Sequence, residues 1–217
     1  FKQKTAYEIS LGLVGSEMCI RDRVRIANSP SLNFTGQNFT IALWVKRSSE
    51  EKAVPTLLAK YNNDLDSDGY AIFRYEGKTY FRVVTSSGVY SAFFAKNNAE
   101  FPADTWIFLA GVRSGNEIKA YRNDALADST TIAGDLLPND YDLLIGMDGS
   151  MRSIYAFSGS IDEVFILARA LSSEEVAELY FNRGYATSSH PGKLFIRKYA
   201  YPEPSVSVGE EESRPTS

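Results

Sequence analysis

The stretch that most constrains this 217-residue chain is residues 157–184, FSGSIDEVFILARALSSEEVAELYFNRG. Strand alternation sets Ile161, Glu163, Phe165 and Leu167 on one face and Asp162, Val164 and Ile166 on the other. Each face is mostly apolar with one acid set into it, the pattern of a strand covered on both sides near a sheet edge. Ser172, followed three residues later by Glu175, is a capping box in which side chain and backbone satisfy each other's donors reciprocally. Leu171 and Val176 supply the matching hydrophobic staple. Val176, Leu179 and Tyr180 make an apolar stripe, and Gly184 stands where a left-handed C-cap is wanted. The predicted helix, 172–182, is about ten residues long and too short to stand alone, so it must pack on the strand before it.

Upstream the period is two. Phe39, Ile41, Leu43 and Val45 alternate with Thr40, Ala42, Trp44 and Lys46. Trp106, Phe108, Ala110 and Val112 alternate with Ile107, Leu109 and Gly111, so that strand is apolar on both faces and belongs at the centre of a sheet. Strands at 70–75 and 79–85 flank Glu76-Gly77-Lys78, a hairpin signal, and 89–95 follows the turn Ser86-Ser87-Gly88. Strands at 24–27, 118–121 and 142–145 complete the count. Short strands at this spacing, parted by Gly, Asn and Asp, predict an all-β sandwich.

The run GSIDEVFILARALSSEEV closely resembles the C-terminal signature of laminin-G-like, concanavalin A-like lectin/glucanase domains. Pieces at 28–32, 39–46, 57–61, 105–110 and 118–123 (NSPSL, FTIALWVK, LLAKY, TWIFLA and IKAYRN) fall in that family's order, so the resemblance covers roughly 24–184. It implies a two-sheet antiparallel jelly roll with one short C-terminal helix. Members of the family bind sugars or proteins, act as enzymes, or serve as spacers.

Composition narrows the classes. Net charge is −4, without a block of Lys or Arg, which gives nucleic acid and anionic membrane nothing to bind. No apolar run approaches the ~18 residues of a membrane span. The one Cys, Cys19, excludes an intrachain disulfide, and one Cys with one His excludes a zinc site.

The ends differ from the middle. Residues 1–23 break the pattern, and SLGLVGSEMCIRDR resembles the translated adapter read-through of metagenomic assemblies. They are expected to be a non-native or unrelated leader outside the fold. A chain opening at Phe1 is expected to be a fragment of a longer protein. The domain is expected over 24–185. Residues 186–217 read as a linker, a strand-like segment at 193–199 and a Pro-, Ser- and Glu-rich tail. The wording RKYAYPEPSVSVGEEE resembles segments beside laminin-G-like domains in large archaeal surface proteins, which implies an extracellular or cell-surface location and further domains.

Catalytic constellations are missing. Glucanases of this fold carry E-x-D-x-x-E on one strand, and here Ser160 and Phe165 stand at both Glu positions. Asp162 and Glu163, adjacent in an alternating strand, are expected to face opposite sides and not to pair. The sole His, His190, lies beside Pro191 in the linker.

Calcium has two candidate places. Asp64, Asp66 and Asp68, closed by Gly69, resemble the first half of an EF-hand, but Tyr75 replaces the bidentate Glu. The run reads either as a calcium loop or as a solvated acidic turn. Asp162 matches a position that lies near a structural calcium in relatives, and reads equally as an acceptor that fixes the sheet edge. Aromatic platforms for a sugar are sought at Tyr90, Phe93, Phe94, Tyr141 and Tyr155, on or near loops. These features predict a non-catalytic recognition module for carbohydrate or a surface protein. A structural spacer is the alternative, and a glycoside hydrolase comes third.

Overall fold

The computed structural model describes residues 6–9, 23–34, 38–61, 68–150, 152–182 and 206–208. Two antiparallel sheets face each other. One sheet holds, in spatial order, β1 (Ala6–Ile9), β12 (Gly159–Leu167), β3 (Asn38–Arg47), β8 (Ile107–Ser114), β9 (Glu117–Arg122) and β10 (Ala125–Thr131). The other holds β13 (Val206–Val208), β2 (Val24–Ile26), β11 (Leu143–Ile145), β4 (Thr56–Lys60), β5 (Tyr70–Tyr75), β6 (Lys78–Thr85) and β7 (Gly88–Ala95). This is the all-β sandwich that the strand spacing predicts, in the two-sheet jelly-roll form that the family resemblance implies. The one α-helix among the described residues, α1 (Ser173–Asn182), lies outside the six-stranded sheet.

The main core fills the space between the sheets. Phe39, Ile41, Leu43 and Val45 of β3 point into it, as their alternation requires, and meet Phe81, Val83, Ile72 and Tyr70 of the facing sheet. Gly111 of β8 belongs to this contact: a Cβ there would come within 2.7 Å of the Phe81 ring, so only glycine lets that ring reach the sheet. The β5–β6 turn is the two-residue pair Glu76-Gly77, with φ of 49° and 76°, the doubly left-handed geometry that suits a tight hairpin.

A second, smaller core lies on the far face of the six-stranded sheet. Ala42, Phe108, Ala110, Val112 and Phe165 pack there beneath Leu171 and Val176. Strand β8 is therefore buried on both faces, as its unbroken apolar run predicts. The capping box forms as expected: the Ser172 N–H donates to Glu175 Oε2 at 2.9 Å and the Glu175 N–H to Ser172 Oγ at 3.2 Å. Thr40 ties the approach to the sheet, donating to the Arg169 carbonyl at 2.9 Å and accepting the Leu171 N–H at 3.1 Å.

Strand β10, unforeseen in the sequence, closes one side of the sandwich. Asp128 accepts the Phe93 N–H at 3.0 Å and Thr130 donates to the Ser91 carbonyl at 2.8 Å, so β10 side chains satisfy backbone groups of the edge strand β7.

The structure corrects the expected alternation along β12. Pairing with β3 runs regularly to Asp162 opposite Trp44, then resumes with Phe165 opposite Ala42. Glu163 and Val164 thus stand against the single residue Leu43, which is a β-bulge. Ile161, Val164 and Ile166 enter the main core, while Phe165 and Leu167 join the helix side. Glu163 supplies the extra residue and takes a left-handed φ of 47°.

Candidate functional site

The bulge opens onto a cleft on the helix-bearing face of the six-stranded sheet. Its volume is about 220 Å³, and it is lined by Trp44, Trp106, Asp162 and Glu163. The chain has only two tryptophans, and both are here.

Each wall follows from the elements beneath it. Trp44 sits at an outward position of β3, directly opposite Asp162, so the two side chains share a face. Its ring stacks on Tyr180 of α1, with centroids 5.5 Å apart and planes 20° apart, and leans on Phe108 at 5.5 Å. The helix that the capping box starts therefore braces one wall. Trp44 Nε1 is buried and has no acceptor among the described residues. Trp106, just ahead of β8, is 42% exposed, and the Lys46 ammonium lies 5.5 Å from its ring centroid.

The acids arrive by a different route. Asp162 Oδ1 accepts the Glu163 N–H at 2.8 Å, within the bulge. A non-glycine residue in that left-handed region carries a cost of about 1–3 kcal/mol. Without the bulge, Asp162 and Glu163 would face opposite ways; with it, both carboxylates line one cleft. The expected separation of the two acids is overturned by the bulge. The absence of the glucanase pattern is not, since Ser160 and Phe165 still stand at its Glu positions.

The other candidate residues lie elsewhere. Asp64 and Asp66 fall outside the described residues. Asp68 accepts from Asn139 Nδ2 at 3.3 Å, beside the buried ammonium of Lys60. That ammonium donates to Asn139 O, Asn139 Oδ1 and Tyr141 O at 2.8–3.1 Å. Burial lowers its pKa to about 8, against the opposing pull of Asp140, Asp68 and Asp142. Among the described residues, no three Asp, Glu, His or Cys side chains converge as a metal site. Asp162 shares its cleft with one other carboxylate, that of Glu163.

Of the five aromatic candidates, Phe94 is fully buried against Phe81 and offers no ring to a ligand. Tyr90 is half-buried against the main core. Phe93 lies against Tyr80 at 4.9 Å, with the Lys96 ammonium 5.7 Å from its ring. Tyr141 is 38% exposed in the loop before β11, and Tyr155 sits in a 3-10 turn with the Arg152 guanidinium 5.7 Å from its ring. None of the five lines the tryptophan cleft. Sequence reasoning missed Trp44, Trp106 and Glu163. The available signal was a tryptophan at an outward strand position, and two adjacent acids inside an otherwise apolar strand.

The family model of the concanavalin A-like lectin/glucanases superfamily matches residues 21–177, and the chain belongs to that family. No curated protein sequence matches the chain. Among solved structures, it is similar to the binding domain of Paraclostridial Mosquitocidal Protein 1, at 19% identity and a TM-score of 0.61, over 74% of this chain and 41% of that one. It is also similar to the botulinum neurotoxin serotype D binding domain, at 16% identity and a TM-score of 0.58, over 82% and 42%. The binding domain of botulinum neurotoxin DC in complex with rat synaptotagmin II gives 14% identity and a TM-score of 0.58, over 85% and 47%. The chain spans less than half the length of each of these domains, and at such identities the likeness is one of fold.

Proposed function

We propose that this domain is a non-catalytic recognition module for carbohydrate or protein, carried by an exported, multi-domain surface protein. The observation that carries the reading is the cleft: both tryptophans and two consecutive carboxylates meet at a bulge held in a costly backbone conformation. An exposed indole face suits the apolar side of a sugar ring or a partner's side chain, and carboxylates fix the orientation of donor groups. Binding domains of toxins share the fold, which is consistent with a recognition role here. Against catalysis stand Ser160 and Phe165 at the positions where glucanases of this fold carry Glu.

The test is a glycan array probed with the full chain and with Trp106→Ala. Glycans that bind the parent chain and not the variant, with both folded by circular dichroism, support the cleft as the site. Glycan binding that survives Trp106→Ala unchanged places the site elsewhere. An array without a single bound glycan leaves protein as the ligand class.

A further inference from the structure

We infer that the cleft accepts the guanidinium of an arginine side chain from a protein partner. The inference rests on the recognition reading above and commits it to one kind of ligand.

The charge of the lining is of one sign. Asp162 and Glu163 present carboxylates, which only accept hydrogen bonds, and the donors in the lining are the two indole N–H groups, of which Trp44 Nε1 is buried. A sugar hydroxyl carries no charge to set against the two carboxylates. A guanidinium has five N–H donors, no acceptor and a permanent charge, and pairs with carboxylates through a planar fork. The exposed indole of Trp106 adds to this preference, because an indole face attracts cations. The protein already uses Trp106 in this way, with the Lys46 ammonium 5.5 Å from its ring centroid.

Size points to a side chain and not to a free small molecule. At about 220 Å³ the cleft falls below the range of sites that enclose a whole ligand, roughly 300–1,000 Å³. It has the dimensions of an anchor pocket, the kind in which a single buried residue carries much of an interface's affinity. The paired carboxylates also turn away anionic groups, so acidic sugars are excluded on the same grounds.

Because both tryptophans line the cleft, intrinsic fluorescence and the two indole N–H resonances of the full chain report on it. The probe is acetyl-Gly-Arg-Gly-amide, and its control replaces arginine with citrulline, which keeps the shape and removes the charge. The expected result is saturable change with the arginine peptide and binding weaker by about tenfold or more with citrulline. Asp162→Asn keeps an oxygen for the Glu163 N–H while removing the charge, and should weaken the arginine peptide similarly. Glu163→Gln repeats the test if that variant fails to fold. Equal binding of the two peptides, no saturable change with arginine, or unchanged binding in a folded charge variant overturns the inference. Glycan binding lost in Trp106→Ala alongside any of these would leave the recognition module standing and remove only the guanidinium.

Discussion

The Asp162 carboxylate accepts the backbone N–H of its own neighbour, Glu163, at 2.8 Å, in a turn of strand that no regular ladder contains. That contact belongs to the bulge which places two consecutive acids in one cleft. The strain there can be measured apart from the side chain. Glycine at position 163 should be more stable than alanine by roughly 1–2 kcal/mol, since both lack the carboxylate and only alanine opposes the left-handed φ of 47°. Chemical denaturation of Glu163→Gly and Glu163→Ala gives the difference directly. Equal midpoints would mean that the backbone relaxes.

The helix start is a separate and simpler expectation. Ser172→Ala removes the oxygen that accepts the Glu175 N–H at 3.2 Å and should cost roughly 1 kcal/mol. The helix also braces Trp44 through Tyr180, so the same change should shift the Trp44 indole resonance. An unmoved melting temperature would show that the cap contributes nothing.

Lys60 sets a pH dependence. Its folded pKa of about 8 lies below the ordinary 10.5, because its ammonium is buried. Between those values the unfolded chain binds more protons than the folded one, so unfolding free energy should rise with pH from about 8. Buried Tyr61 and Tyr70, whose hydroxyl pKa values are pushed up, act oppositely above pH ~10, where folding holds protons that the unfolded chain releases. Lys60→Met should flatten the rise between pH 8 and 10. A parent chain whose stability falls over that window would contradict the assignment.

Calcium is proposed for the run Asp64, Asp66 and Asp68. Binding only the folded state at a hundredfold excess over Kd would add about 2.7 kcal/mol. Melting temperature should then rise in millimolar calcium and fall with chelator, and Asp66→Ala should abolish the difference. Asp162→Ala should abolish it instead if the ion sits at the sheet edge. Identical curves with calcium and chelator would make the run an ordinary acidic turn.

Several elements were legible because one interaction dominates each. The alternation at 39–46 and the two-faced apolar run at 106–112 follow from burial alone, and Ser172 with Glu175 announces the helix start through local hydrogen bonding. The bulge was not legible. Asp-Glu within Ile161–Val164 reads as regular alternation by period, yet it puts Val164 and Ile166 on the wrong side; only the demands of the main core reveal the extra residue. Strand β10, with the sequence ALADSTT, was missed because an edge strand needs few apolar residues and here uses Asp128 and Thr130 as bonding groups. Lys60 gave no sign of burial because its acceptors, Asn139 and Tyr141, lie about eighty residues away.

Removal of Glu163 altogether tests the central claim most directly. Without it, Ile161, Val164 and Ile166 still face the core and Asp162 and Phe165 still face outward, because two residues on β12 oppose the single Leu43. The deletion should therefore fold and melt close to the parent chain, since it removes a strained residue that the core does not use. It should nevertheless lose binding in the cleft, whichever ligand the array or the peptides identify. A deletion that fails to fold would make the bulge a structural necessity, and one that folds and binds as the parent does would remove the cleft as the site.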